Sequence, residues 1–163
     1  MARFRPYYIS SGPVTISGTS PILVLIGVAA SGWDYTALAV RLDVLAATGS
    51  PTVPANASLQ VQLCQASGTV GGGGTVTAQN VGMGSVSAKS VWTSAASAAI
   101  TGMTQGAEYW PGTAPLAPGG WCGEQFGDGM ERHSLNAGPL GIYVTPSASA
   151  TGLAVVAGID ASE

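Results

Sequence analysis

The chain is a succession of short apolar stretches broken by Gly, Pro and Ser, and their periodicity is that of strands. Residues 22–30 are apolar throughout and bounded by turn signals, as expected of a strand buried on both faces. Residues 33–44 alternate instead. Leu38, Val40, Leu42 and Val44 share one face, while Ala37, Ala39, Arg41 and Asp43 share the other. A helix competes for that segment, since Ala and Leu are helix formers. Leu38 and Leu42 alone would make too narrow a helical stripe, and Gly49-Ser50-Pro51 follows without a helix cap. Residues 58–65 alternate more strictly, with Leu59, Val61 and Leu63 inward and Gln60, Gln62 and Cys64 outward.

Further strands are predicted at 14–18, 75–79, around 90–93 and 98–101, and at 140–145 and 153–159. Residues 50–57 read as a loop. Gly71 to Gly74 predict a flexible connection, because glycine does not restrict the backbone. Residues 107–129 hold Tyr109, Trp110, Trp121 and Phe126 among prolines and glycines, which predicts an ordered, aromatic-pinned excursion rather than a regular element. Residues 1–12 predict an extended N-terminal arm, basic and aromatic, ahead of one domain over 13–163. About eight short strands with turn punctuation and no convincing helix predict an all-β, antiparallel β-sandwich of jelly-roll type. No internal repeat holds a fixed period.

Composition narrows the function classes. Charged residues are 8% of the 163, with 5 Lys+Arg against 8 Asp+Glu, while Gly alone contributes 24. That leaves few groups for acid–base chemistry and little charge for a fully solvated surface, so the expectation is a structural or interaction protein partly covered by partners. The net charge of -3 and the absence of a basic stripe beyond Arg3 and Arg5 argue against nucleic acid as a partner. The apolar run at 22–30 is too short for a membrane-spanning helix. It also lies too far from Arg5 to be the apolar part of a signal peptide, so a cytoplasmic start is expected. Cys64 and Cys122 are too few for a disulfide framework and read as reduced thiols.

Candidate chemistry is sparse. The densest polar cluster runs from Cys122 to His133 and contains Glu124, Asp128 and Glu131. Its spacing matches neither a zinc site nor a calcium loop, so no metal or cofactor is expected and a polar loop is the simpler reading. No Gly-x-Ser-x-Gly is present, and the glycine run lacks the Lys-Ser/Thr of a phosphate loop. Asn56-Ala57-Ser58 matches a glycosylation sequon, which without export is chance. Two segments are candidate interfaces: Arg3, Phe4, Arg5, Tyr7 and Tyr8 in the arm, and Tyr109, Trp110, Trp121 and Phe126 in the excursion.

The apolar strand at 22–30, the strand ending Ala39-Val40-Arg41-Leu42, the Gly49-Ser50-Pro51-Thr52 loop and Leu59-Gln60-Val61-Gln62-Leu63 follow one another in a familiar order. A late aromatic excursion then closes on Gly141-Ile142-Tyr143-Val144 and Leu153-Ala154-Val155-Val156. In this the chain resembles the small β-sandwich virion proteins of tailed bacteriophages, particularly capsid decoration (cement) proteins and minor structural proteins. The resemblance implies a non-enzymatic protein on the capsid surface, assembled in the host cytoplasm. It also implies a homo-oligomer, a trimer, bound to the major capsid protein. Three alternatives stand beside it. One is a minor tail or fibre-base protein. Another is a carbohydrate-binding module stacking sugars on Trp110 and Trp121. The last is a hydrolase using Glu124, Asp128 or Glu131.

Overall fold

The computed structural model describes residues 6–30, 35–81, 88–126, 138–162 and, for backbone pairing, 133–134. Among these there is no helix. Thirteen strands follow one another: β1 (Pro6–Ser10), β2 (Val14–Ile16), β3 (Ile22–Val28), β4 (Thr36–Ala46), β5 (Ser58–Gly72), β6 (Gly74–Val76), β7 (Gln79–Asn80), β8 (Val91–Ser94), β9 (Ile100–Pro115), β10 (Trp121–Gln125), β11 (His133–Ser134), β12 (Leu140–Pro146) and β13 (Leu153–Ser162). They form two antiparallel sheets. The first runs β10-β4-β13-β1-β7, with β2 added to β13 and β11 to β4; the second runs β6-β8-β3-β12-β5-β9.

Alternation in the sequence explains how the sheets face each other. Leu42 and Val44 on β4, and Leu153, Val155, Ala157 and Ile159 on β13, are buried against Leu59, Val61 and Leu63 of β5 and Ile142 and Val144 of β12. The period-two reading of β4 holds from Val40 onward. Before that, Ala37 rather than Leu38 is the buried residue, because the pairing with β13 slips between Asp160 and Ala161. An extra residue on one strand swaps which side chains face the core.

The expected free arm is not what residues 6–10 form. They are strand β1, hydrogen-bonded along its whole length to β13 from Pro6↔Ser162 to Ser10↔Gly158, and to β7 on its other side. Tyr7 and Ile9 are fully buried. Tyr7 stacks on Tyr35 at 6.4 Å, and Tyr35 meets Trp92 of β8 at 5.3 Å, so three rings link one sheet to the other. A buried polar bridge does the same nearby. The Ser11 and Ala157 backbones are joined at 2.8 Å, and the Ser94 hydroxyl donates to the Ser11 carbonyl at 2.5 Å. Paired in this way, the two buried serines carry no desolvation penalty for unmade hydrogen bonds.

The glycine run does not form a loose connection either. Still paired with β9, β5 leaves β12 and crosses the outer face of its own sheet, reaching β6 at the opposite edge. Val70, Ile100 and Met103 of this ribbon pack on Leu23, Ile26, Cys64, Ala66 and Tyr143, making a second, smaller core. Gly72 and Gly73 turn the corner with φ of +65° and +66°. A methyl on Gly72 would fall 2.3 Å from the Ala99 carbonyl oxygen. Only glycine meets both requirements.

Candidate functional site

The segment expected to be an irregular aromatic excursion is regular. Tyr109 and Trp110 lie on β9, and Trp121 opens β10. Pro111 and Pro115 are tolerated because β9 is the edge of its sheet, with β5 as its only hydrogen-bonded neighbour among the described strands. The aromatic residues do not share one surface. Trp110 is half-buried and packs toward the main core, lying over Gly112, where a methyl would fall 2.3 Å from its ring. The Tyr109 hydroxyl donates to Gln65 at 3.1 Å. Trp121 is 65% exposed. The pairing of Trp110 with Trp121 as one stacking platform is therefore not formed. Phe126 is half-buried at the core margin. Of the arm residues, Tyr7 belongs to the core and Tyr8 is 39% exposed; Arg3, Phe4 and Arg5 lie outside the described residues.

Trp121 and Tyr8 instead bound an open groove on the outer face of the first sheet. Strand register assembles it. Trp121 stands beside Asp43, Gly123 beside Arg41, and Gln125 beside Ala39. On the other side of β4, Arg41 stands beside Gly158 and Ala39 beside Asp160. Tyr8 completes the row next to Asp160. The floor is made of small residues, so it is shallow: Ala39, Gly123 and Gly158, with the Tyr8 ring leaning over Gly158. The main groove holds about 590 Å³ and continues past Asp160 into a second of about 510 Å³ bordered by Leu38, Val81 and Phe126.

Polar groups converge on this floor. Arg41 Nε donates to Asp43 Oδ2 at 2.8 Å and Nη2 to Oδ1 at 3.0 Å, a bidentate pair two residues apart on one strand face. That contact uses two of the guanidinium's five N–H donors and leaves the others facing solvent. Asp43 holds the guanidinium protonated, and partial burial raises the Asp160 carboxyl above the usual range. Glu124 and Gln125 also line the groove. Of the carboxylates considered for hydrolysis, only Glu124 is placed here, since Asp128 and Glu131 lie outside the described residues. Sequence reasoning put Arg41 and Asp43 on one outward face but missed their role. The missing signal was the register that sets glycines on both sides of Arg41.

The two cysteines are free and lie in different cores, Cys64 under the β5/β9 ribbon and Cys122 beneath β10. Gln105 Nε2 approaches Cys64 Sγ at 3.2 Å and the Gln62 side chain at 3.1 Å, and Gln62 in turn donates to Glu108. Burial pushes the Cys64 thiol up, and pushes Cys122 up to about 11 with Asp43 adding to the effect. A thiol that ionises near 9 when unfolded but keeps its proton to about 11 when folded favours the folded state fully below 9. That advantage is lost as pH rises from 9 to 11. We expect chemical-denaturation midpoints to fall across that window, and to fall less steeply in Cys122→Ala.

Among the described residues no helix is long and apolar enough to cross a membrane, and no group of three or more His, Cys, Asp or Glu could hold a metal ion. No protein-family model, curated protein or solved structure matches the chain.

Proposed function

We propose that this chain is a jelly-roll virion structural protein, non-enzymatic, that binds the major capsid shell as a homo-oligomer. Strand order supports the jelly roll. Taking β1, β3, β4, β5, β9, β10, β12 and β13 as eight successive strands, the sheets run first-eighth-third-sixth and second-seventh-fourth-fifth. That is the arrangement of two Greek keys folded together, a layout that viral capsid and lectin domains share. A shared fold does not assign a function by itself.

The observation that carries the assembly reading is the outer edge of β9, which no described strand covers. Residues 100–107 (ITGMTQGA) are uncharged, contain no proline and are mostly exposed. An edge of that length presents unpaired N–H and C=O groups and is ordinarily blunted by charge, by proline or by a covering chain. Here the first two are missing from 100–107 and no described strand lies on that side, which supports a partner strand as the cover. Exposed Val91, Val81 and Leu45 add apolar surface in a chain with little charge to balance it.

The test has three parts. Light scattering on the purified protein should give an oligomer, and immunogold label should cover the heads of intact phage particles. Ala107→Lys, at an exposed position, should keep the fold within about 0.5 kcal/mol and lose association by about tenfold or more. Label confined to the tail moves the protein to a fibre-base role. A monomeric protein with no label on any particle overturns the reading.

A further inference from the structure

The groove on the outer face of the first sheet has features that a subunit contact does not need, and we propose that it binds a neutral oligosaccharide. The proposal rests on the groove alone and stands or falls separately from the assembly reading. Three properties argue for it together. First, Trp121 at 65% exposure and Tyr8 at 39% offer exposed aromatic surface at the two ends of one open floor. A sugar ring presents a C–H-rich face that packs on such a surface, while its hydroxyls stay at the rim.

Second, the polar groups between the rings are planar and of both kinds. Arg41 contributes free N–H donors, and its carboxylate partner Asp43 keeps the fork fixed in place. Asp160 contributes acceptors on the adjacent strand. Vicinal hydroxyls of a sugar, each both donor and acceptor, satisfy this mixture, and a fixed fork loses little freedom on binding. Third, the groove is long and shallow. Trp121 and Tyr8 are separated by three strand spacings and four residues along β13, which is about 14 Å by 13 Å on a flat sheet. This suits an extended chain of sugar units better than one enclosed molecule. It also lies on a sheet face rather than an edge, so a peptide would find no main-chain ladder to join.

Charge decides between neutral and anionic chains. Among the described residues, Asp43, Asp160 and Glu124 line the groove against one cation, Arg41. An anionic polymer would meet net repulsion there, whereas a neutral one does not.

The experiment is titration of the full-length protein with maltohexaose, cellohexaose and chitohexaose, and with polygalacturonate as the anionic counterpart. Binding is followed by calorimetry and tryptophan fluorescence. Saturable binding of at least one neutral hexamer is expected, with weaker or no binding of polygalacturonate. Trp121→Ala and Arg41→Ala should each weaken it about tenfold or more, the scale of losing one anchor, with near-UV circular dichroism unchanged. Absence of binding by all three neutral hexamers at millimolar concentration overturns the proposal. So does binding that both variants leave intact. If Trp121→Ala instead abolishes self-association and no hexamer binds, the groove is a subunit contact and the proposal fails.

Discussion

Deleting residues 1–10 is expected to abolish the cooperative thermal transition of this protein, not merely to weaken its docking to a partner. The segment has the composition of an arm, but Pro6–Ser10 fills the gap between β13 and β7. Removing it breaks backbone ladders on both sides and leaves the hydrogen-bonding edge of β13 open. Ile9→Ala alone should cost about 2–5 kcal/mol, and truncating a fully buried ring such as Tyr7 about 3–5 kcal/mol. Together these approach the whole stability of an ordinary domain, about 5–15 kcal/mol. Differential scanning calorimetry decides it. A sharp transition in the truncated protein would show that β1 is dispensable.

Trp92→Ala carries the second largest expected effect, about 3–5 kcal/mol of stability. Trp92 is 1% exposed, and its ring fills the space over Gly27, where a methyl would fall 2.5 Å from it. It also closes the line of rings from Tyr7 through Tyr35. Its indole N–H donates to Ser90 at 3.0 Å, so alanine loses that bond together with the packing. The glycine beneath the ring has no side chain to move into the void, which places the cost toward the upper end. Urea unfolding should show a lowered midpoint with an unchanged slope. A shift corresponding to under about 1 kcal/mol would mean that the two sheets do not depend on the aromatic link.

How much of this was readable in advance depended on whether the deciding contact was local. Leu59, Val61 and Leu63 face inward as their alternation demands, because a two-residue period needs only the strand itself. Cys64 obeys the same alternation and points to the outer face of its sheet, yet it is fully buried. The reason is not local: the distal half of its own strand folds back over it. Nothing in residues 58–65 announces that. The glycines at 71–74 do announce a corner, but composition alone cannot distinguish a loose linker from a place where only hydrogen fits. Tyr7 and Tyr8 illustrate the same limit, since neighbouring rings of similar type end up in the core and at the groove. Arg41 and Asp43 were legible as an outward pair. That they form a groove required knowing which strands flank β4, and those strands lie far away in sequence.

The pairing of β1 with β13 has a consequence for how the protein is made. The first strand finds its central neighbour only when residues 153–162 have left the ribosome, so the first sheet cannot close before then. Until then, Tyr7, Ile9 and the apolar face of β4 await partners not yet synthesised. Pairing so remote in sequence also puts folding in the slow, millisecond-to-second range of all-β domains. The nascent chain therefore depends on its few charges, its glycines and cellular chaperones to stay apart from its neighbours, and any assembly of subunits has to wait until residues 153–162 have been made.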